Sequence, residues 1–328
     1  MQTVLPGLAF TFAVLCAGVM GYAIQRGATC TVAAVDEIVT QRTCRRLLAL
    51  LEAAVWVAGG LVVARSLHVR PPVPAGYAVT AWTIVGGALL GLGAFINGAC
   101  VFGAIARFGS GEWAYLVTPI GFYLGCLSVG PLFGTPMPRA LAHGSPVLEA
   151  SAWIAVLFVA FALWRLLRPW LGVGRQRVAV RREAIAARLW SPHAATTVIG
   201  ITFVALLLLA GAWAYTDVLA ELARGMAAGV GSRALLASAL LAGAALGGWT
   251  ARLFRSTPAS AAQLLRCLVG GAVMGWGSLL LPGGNDALIL IGMPLAWPYA
   301  WIAFATMGVT IAMAQIGARA LAARPASR

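Results

Sequence analysis

Nine runs of about twenty mostly apolar residues follow one another along this chain, separated by short polar segments. About twenty residues of α-helix are needed to cross the roughly 30 Å hydrocarbon core of a bilayer. Each run therefore predicts a membrane-spanning helix, and together they predict an all-α polytopic membrane protein. The predicted spans are 6–25, 45–65, 79–98, 113–133, 151–168, 196–215, 233–252, 264–281 and 298–318.

Composition excludes the soluble alternatives. Of the 328 residues, 61% are hydrophobic and only 10% are charged, whereas a soluble globular chain is about half apolar and about one quarter charged. A soluble fold must cover its surface with more polar atoms than this chain provides. An ordinary cytosolic enzyme, a disordered protein and a nucleic-acid binder are therefore excluded, and membrane lipid is the expected surrounding.

The arginines predict the orientation. The net charge of +14 is the excess of 23 basic residues over 9 acidic ones. All the basic residues are Arg, and they lie in short clusters between the apolar runs. Cytoplasmic loops of membrane proteins are enriched in Arg and Lys, and segment 165–190 contains seven Arg against one Glu. With nine spans, a cytoplasmic 165–190 predicts an outside N-terminus and a cytoplasmic C-terminus in a bacterial inner membrane. The same placement puts inside Arg42, Arg45, Arg46, Arg252, Arg255 and Arg266.

Four further apolar segments are too short to cross a membrane. A broken backbone at membrane depth is tolerated only where it is buried in protein or lines a cavity. These segments therefore predict half-helices around a central cavity. They are 28–40, 99–108, 217–230 and 285–296.

An internal repeat organises the chain. The stretch GGALLGLGAFINGACVFGAI (86–105) overlays GGAVMGWGSLLLPGGNDALI (270–289) without gaps, and the overlay matches five small residues and one Ile. The predicted organisation is a first repeat of four spans (1–150), a linking span with the basic loop (151–195) and a second repeat (196–328). Each span of the first repeat is followed, five spans later, by its counterpart in the second repeat. Because five is an odd number, the two repeats have opposite topology, as in many transporters.

Two of the half-helices begin at a cysteine. Cys30 follows a span that ends in Gln-Arg-Gly, and Thr29 is expected to cap the helix that starts there. Cys100 follows the break at Gly98. A helix start offers free N–H groups to an anion, and a thiol adds a polarizable, weak donor. This pairing suits a sulfur-bearing anion better than a hard oxyanion, although either cysteine alone also fits a small buried hydrophobe.

Three motifs together resemble the YeeE/YedE sulfur-transport family. They are QRGATC (25–30), GxGxxxxGxC (91–100) and GxGxxxxxGGN (275–285). The resemblance implies an inner-membrane carrier rather than an enzyme, without a cofactor or metal, that imports thiosulfate or a related small sulfur-containing anion. It also implies an hourglass-shaped path that narrows at Cys30 and Cys100. A small cytosolic sulfur-carrier protein is the implied partner, with segment 165–190 as the expected contact surface.

The third motif departs from the family pattern. Thiosulfate carriers of the family have Gly-Cys-Asn at this point, whereas this chain has Gly284 followed by Asn285 and Asp286. An ionisable residue inside an apolar run is a functional candidate, but Asn285 or Asp286 also fits a helix cap. A carboxylate here would oppose a dianion unless it is protonated or turned away. Restoring the thiol with Gly284→Cys is expected to raise thiosulfate uptake.

Several readings stay open on the sequence. Arg26 and Arg107 follow broken helices, where they fit either attraction of anions at a vestibule or anchoring at the cytoplasmic surface. The competing functions are a membrane sulfur relay that forms a persulfide on Cys30 or Cys100, and a carrier for another sulfur or selenium compound. No His, Lys or acid lies beside either cysteine in the sequence to activate a thiolate, which favours transport.

Overall fold

A computed structural model describes residues 4–69, 72–134, 138–171, 189–226 and 230–323. It confirms the all-α polytopic membrane fold. Within the described residues, eight helices are long and apolar enough to cross a membrane. The ninth predicted span, 151–168, is also helical, with a shorter apolar stretch at Trp153–Leu167.

The helices are numbered in chain order. The first half of the chain contains α1 (Val4–Arg26), α2 (Thr31–Gln41), α3 (Arg45–Ser66), α4 (Ala81–Asn97), α5 (Val101–Gly109), a 3-10 turn (Trp113–Leu116) and α6 (Val117–Phe133). Helix α7 (Ala152–Leu171) follows. The second half contains α8 (Pro192–Ala210), α9 (Tyr215–Ala223), α10 (Val230–Thr250), α11 (Ala261–Leu280), α12 (Asn285–Ala287), which continues as a π-helix over Leu288–Gly292, and α13 (Pro298–Ala322).

Local sequence signals set several of these ends. The Ser191 side chain accepts a hydrogen bond from the amide of Ala194 and so caps α8, with Pro192 in the first turn. Ser260 caps α11 in the same way. Gly98 ends α4 at φ +75°, a conformation that side chains disfavour. These caps satisfy backbone groups that a helix end otherwise leaves without partners.

The four predicted half-helices are present. Helices α2, α5, α9 and α12 lie at the predicted segments. Helix α9 differs from the predicted 217–230, because it runs Tyr215–Ala223 and Val230 already begins α10. The break before α2 passes through Ala28 at φ +45°. Each of the four is shorter than a membrane-crossing helix, so they serve to bring chain breaks into the protein interior.

Matching elements of the two halves are separated by a constant number of residues. The residue before α2 is Cys30 and the residue before α9 is Ala214, a separation of 214 − 30 = 184. The residues before α5 and α12 are Cys100 and Gly284, and 284 − 100 is again 184. The predicted span 196–215 is observed as α8 at Pro192–Ala210, because the Ser191 cap starts that helix earlier than its apolar run.

Glycines allow α4 and α11 to cross in direct backbone contact. A Cβ added to Gly93 would lie 2.7 Å from the carbonyl oxygen of Gly270, and one added to Gly270 would lie 2.7 Å from that of Gly93. Gly86 and Gly277 face each other similarly, at 2.9 and 2.6 Å. Small residues that let backbones approach are the usual device for packing helices in membranes. These four glycines of the sequence repeat are therefore the contact points of this crossing. The other matched glycines pack elsewhere: Gly87 and Gly91 against α13, and Gly271 and Gly275 against α6.

Most described arginines gather at one end of the helix bundle. The ends of α1, α5 and α10 meet the start of α8 there: the amide of Trp190 donates to the carbonyl oxygen of Arg26, and that of Arg255 donates to Ser110. We call this the arginine-rich end. It contains Arg26, Arg42, Arg45, Arg46, Arg107, Arg252, Arg255, Arg266 and Arg319.

The opposite end is formed by the loops after α3 and α6 and the turn before α13. The amide of Leu141 donates to the carbonyl oxygen of Gly76, and the hydroxyl of Ser145 donates to that of Leu295 at 2.7 Å. Helix α1 therefore ends at the arginine-rich end, where α8 begins. Of the predicted basic segment 165–190, residues 172–188 lie outside the described part of the chain.

Candidate functional site

Cys30 lies at the start of α2, immediately after the break that follows α1. It is the N-cap residue, with an extended backbone at φ −160° and ψ 128°. Its side chain is half-buried. The predicted capping role of Thr29 is wrong, because the cap position belongs to Cys30. The Thr29 hydroxyl is instead buried without a hydrogen-bond partner among the described residues.

Cys100 lies at the start of α5 and is fully buried. The backbone amide of Thr31, the first residue of α2, donates a hydrogen bond to Sγ of Cys100 at 3.1 Å. The starts of α2 and α5 therefore meet, and the two predicted cysteines are neighbours although 70 residues apart in sequence (100 − 30). The chain thus places two thiols and the starts of two helices at one point.

Gly103 makes room for this arrangement. A Cβ at position 103 would lie 2.5 Å from Sγ of Cys30 and 3.0 Å from its Cβ. Contacts this short do not occur between real side chains, so any larger residue would push Cys30 away. Gly103 is therefore required for the approach of the Cys30 thiol to α5.

A cavity of about 350 Å³ leads from the arginine-rich end to Cys30; we call it the Cys30 cavity. Its charged lining residues are Arg46, Arg107 and Asp36. Each has a counter-charge nearby: Arg46 pairs with Glu37 at 3.4 Å, Arg107 with Glu112 at 3.4 Å and Asp36 with Arg319 at 2.5 Å. The guanidinium of Arg107 also lies 5.3 Å from the centre of the Tyr115 ring.

The two arginines of the sequence prediction have different environments. Arg107 lines the Cys30 cavity, with about half of its side chain exposed. Arg26 is buried and is not among the residues lining that cavity. Its guanidinium donates to the Tyr22 hydroxyl at 2.8 Å and to the Thr250 hydroxyl at 3.2 Å. Arg26 thus joins α1 to α10 through side-chain hydrogen bonds and does not face the Cys30 cavity.

Asn285 brings the second half of the chain to the two cysteines. Its Oδ1 accepts a hydrogen bond from the amide of Val101, the residue after Cys100, at 3.3 Å. The side chain is fully buried, and its Nδ2 has no hydrogen-bond partner among the described residues. The Thr31 hydroxyl is buried without a partner as well. A buried amide donor left without an acceptor is costly, which makes these two groups candidate contacts for a polar ligand.

Gly284 and Asp286 are placed beside the start of α9. Asp286 is buried, and its carboxylate accepts hydrogen bonds from the amide of Thr216 at 3.0 Å and from the Thr216 hydroxyl. It caps α9 and not its own helix, which has no side-chain cap. Of the two alternatives left open by the sequence, capping of the segment 285–296 by Asp286 is not observed, because the carboxylate accepts from the amide of Thr216 at the start of a neighbouring helix.

A second cavity, of about 200 Å³, approaches Gly283 and Ala287 from the opposite end. Asp217, Glu221, Arg224 and Ser278 contribute its polar lining; we call it the Asp217 cavity. The Ser278 hydroxyl has no partner in the described structure. The two cavities approach the same buried group of residues from opposite ends of the bundle, with Cys100, Asn285 and Asp286 between them.

Comparison with known protein families identifies the family of this chain. A family model described as sulphur transport matches residues 26–313, which is most of the chain. The chain belongs to the sulphur-transport family. No curated individual protein matches it significantly. It is thus a multi-pass membrane protein of a sulphur-transporter family, as the three sequence motifs predict.

Within the sulphur-transport family pattern, the absent third thiol has a structural replacement. A Cβ added to Gly284 would lie 2.3 Å from Oγ1 of Thr216 and 2.9 Å from Oδ1 of Asp286. The volume of a third cysteine side chain is thus occupied by the Thr216–Asp286 pair. The expectation that Gly284→Cys simply adds a thiol is revised, because the new side chain has no room beside Thr216.

Sequence reasoning missed several residues of this site. The unpartnered Thr31 hydroxyl carried no signal, since Thr is common in membrane helices, and Thr29 was predicted only as a cap. Thr216 was missed because the half-helix was predicted to start at 217 rather than at Tyr215, and Asp217 was not singled out within that segment. The repeat held the signal: adding 184 to Cys30 gives Ala214, which places the start of α9 and its polar residues opposite Asp286.

Proposed function

We propose that the chain imports thiosulfate, or a related small sulfur-containing anion, across the bacterial inner membrane through a path that narrows at Cys30, Cys100 and Asn285. The observation that carries this proposal is the meeting of two helix starts at two thiols, with the Thr31 amide bonded to Sγ of Cys100 at 3.1 Å. Family membership supports sulfur transport, and the donor chemistry of the site supports the anion.

The donor set fits an anion with a terminal sulfur. The buried Nδ2 of Asn285 and the Thr31 hydroxyl, which have no hydrogen-bond partner among the described residues, are donors for charged oxygens. The thiols of Cys30 and Cys100 are weak donors with polarizable sulfur, matched to the soft sulfur atom of thiosulfate. The anion would pass from one thiol to the next by S–H···S contacts, with no covalent bond formed or broken.

The repeat supports a mechanism with two alternately open cavities. Helix α1 ends at the arginine-rich end where α8 begins, so the matched halves run in opposite directions, as in inverted-repeat transporters. Cys100 and Asn285 are fully buried, so no ligand passes without a rearrangement between the halves. The glycine crossing of α4 and α11, at Gly93 and Gly270, is the contact about which the halves would move.

Positive charge supports the orientation. The arginine-rich end, which receives the end of α13, is assigned to the cytoplasm by the enrichment of Arg in cytoplasmic loops. The N-terminus, at the other end of α1, is then outside. Imported anion would enter from the Asp217 cavity, pass Asn285, Cys100 and Cys30, and leave through the Cys30 cavity, where Arg107 lowers the energy of an anion.

Uptake of labelled thiosulfate tests the proposal. Bacterial cells that lack their other sulfur importers should accumulate thiosulfate when this chain is expressed, and should not do so with an empty vector. Intact-mass analysis of the purified protein after uptake should show unmodified cysteines. A persulfide on Cys30 or Cys100 without any uptake would instead support a membrane sulfur relay.

A further inference from the structure

Asp286 is a buried carboxylate without a cation partner. It is 2% exposed, and none of the ion pairs within the described ranges includes it. Thr216 of α9 donates two hydrogen bonds to this carboxylate, one from its backbone amide and one from its hydroxyl. A charge held in a low-dielectric interior without a counter-ion is costly, and such residues within membrane segments typically serve a function.

The two halves of the chain supply different acceptors to their corresponding helix starts, α2 and α9. In the first half, the start of α2 donates its amide to the Cys100 thiol. In the second half, the start of α9 donates its amide to the Asp286 carboxylate at 3.0 Å. The carboxylate of Asp286 therefore lies at the start of α9, whereas the start of α2 contacts a thiol and is the proposed site of the anion. A sulfur anion that enters from the Asp217 cavity meets this fixed negative charge before it reaches Cys100.

We propose that Asp286 is the proton-binding residue of this carrier, and that the sulfur anion passes only while Asp286 is protonated. This rests on the proposed transport function. A carboxylate oxygen of Asp286 takes a proton from hydronium that enters through the Asp217 cavity, which leaves water there and removes the negative charge that repels the anion. Once the anion has moved toward Cys30, the proton is released to a water molecule on the side of the Cys30 cavity, so anion and proton move in the same direction.

The surroundings of Asp286 are consistent with a route for the proton. From α9, Tyr215 and Asp217 face it, and Asp217 lines the cavity at the opposite end. The positive charges of Arg224 and Arg233 attract the carboxylate of Asp217. Helix α5, which also contacts α12, begins at Cys100 and has its Arg107 in the other cavity. The π-helix Leu288–Gly292 contains no titratable residue.

The test uses the full chain in liposomes loaded with a trapped pH indicator. Thiosulfate uptake by the wild-type protein should fall at least about fivefold as the external pH rises from about 5.5 to about 8, a range above the usual carboxyl value of about 3.9. Uptake should acidify the interior. Asp286→Asn cannot ionise, so its uptake should vary less than about twofold over this range and should carry no protons. Glu149→Gln, at an exposed carboxylate of the loop after α6, should retain the wild-type profile.

A second variant keeps the test decisive if Asp286→Asn fails to fold. Thr216→Val keeps the shape of the side chain but removes the hydroxyl that donates to the carboxylate. The ionised form is then less favoured, so the midpoint of the pH profile should move upward by about half to one pH unit. An unchanged midpoint in Thr216→Val, or a wild-type pH profile in Asp286→Asn, would overturn the proton-binding role.

The wild-type protein distinguishes the two proposals. Uptake that is independent of pH would overturn the proton-binding role while leaving thiosulfate transport intact. No uptake at any pH would overturn both the proton-binding role and thiosulfate transport.

Discussion

Cys100 and Gly284 have the same backbone conformation, with φ −75° and ψ −179° at Cys100 and φ −76° and ψ −179° at Gly284. Each is the residue before a half-helix, and the two are 184 residues apart. The second half therefore keeps the backbone of a thiol position without the side chain. What differs is the neighbour: Cys100 receives the amide of Thr31, whereas the space beside Gly284 is filled by Thr216 and Asp286.

Gly284→Cys tests this replacement. Because its Cβ would lie 2.3 Å from Oγ1 of Thr216, we expect the single variant to lose about 1–3 kcal/mol of stability, as overpacked interiors do. Its uptake should not rise. The double variant Gly284→Cys/Thr216→Ala should recover most of the loss. The measurement is thermal unfolding of the detergent-purified protein, and equal melting temperatures of the single variant and wild type would contradict the packing.

Gly103→Ala tests the approach of the Cys30 thiol. The added methyl group would lie 2.5 Å from Sγ of Cys30, so that thiol should be displaced and uptake should fall about tenfold or more. Gly308→Ala is the matched control in α13, since a Cβ there meets no atom within 4 Å. Uptake rates of the two variants, normalised to folded protein in the membrane, give the comparison. Equal rates would show that Gly103 does not position Cys30.

Asn285→Asp separates the two roles of the Asn285 side chain. An oxygen acceptor for the amide of Val101 is retained, so the protein should fold and insert. The unpartnered Nδ2 donor is replaced by a second oxygen with negative charge, so binding of an anion should be lost. We expect no thermal stabilisation by thiosulfate in this variant, against a measurable shift in wild type. A wild-type shift would mean that Nδ2 faces no ligand.

The topology gives a further prediction. A reporter tag after Arg328 and one inserted within 175–188 should both report the cytoplasm, whereas a tag before Met1 should report the periplasm. Finding both termini on one side would contradict the odd number of crossings and the opposite directions of the two halves.

The sequence was sufficient for the fold because hydrophobic length is a strong signal in membranes. The run at 45–65 became α3 (Arg45–Ser66) almost residue for residue, since the bilayer core dictates the length. The cysteine motifs were equally informative, because a glycine break before a short helix fixes where the thiol lies. Both cysteines were placed correctly at helix starts.

The contacts between the halves were beyond the sequence. That Asp286 bonds to α9 rather than capping its own helix depends on how two chain breaks meet in space. Arg26 was equally ambiguous, since an arginine after a break fits a vestibule or an anchor, and only the positions of Tyr22 and Thr250 decide. Local patterns predicted elements and their ends, whereas partners far apart in sequence required the packed structure.

The most direct test of the transport path is the initial rate of thiosulfate uptake in single cysteine variants. Cys30→Ala and Cys100→Ala should each abolish uptake while the folded protein remains in the membrane, because a methyl group packs but cannot donate to the anion. Cys16→Ala, Cys126→Ala and Cys267→Ala, at buried cysteines outside both cavity linings, should stay near the wild-type rate. Uptake at the wild-type rate in Cys100→Ala, or a loss in Cys16→Ala as large as in Cys100→Ala, would contradict a path through Cys30 and Cys100.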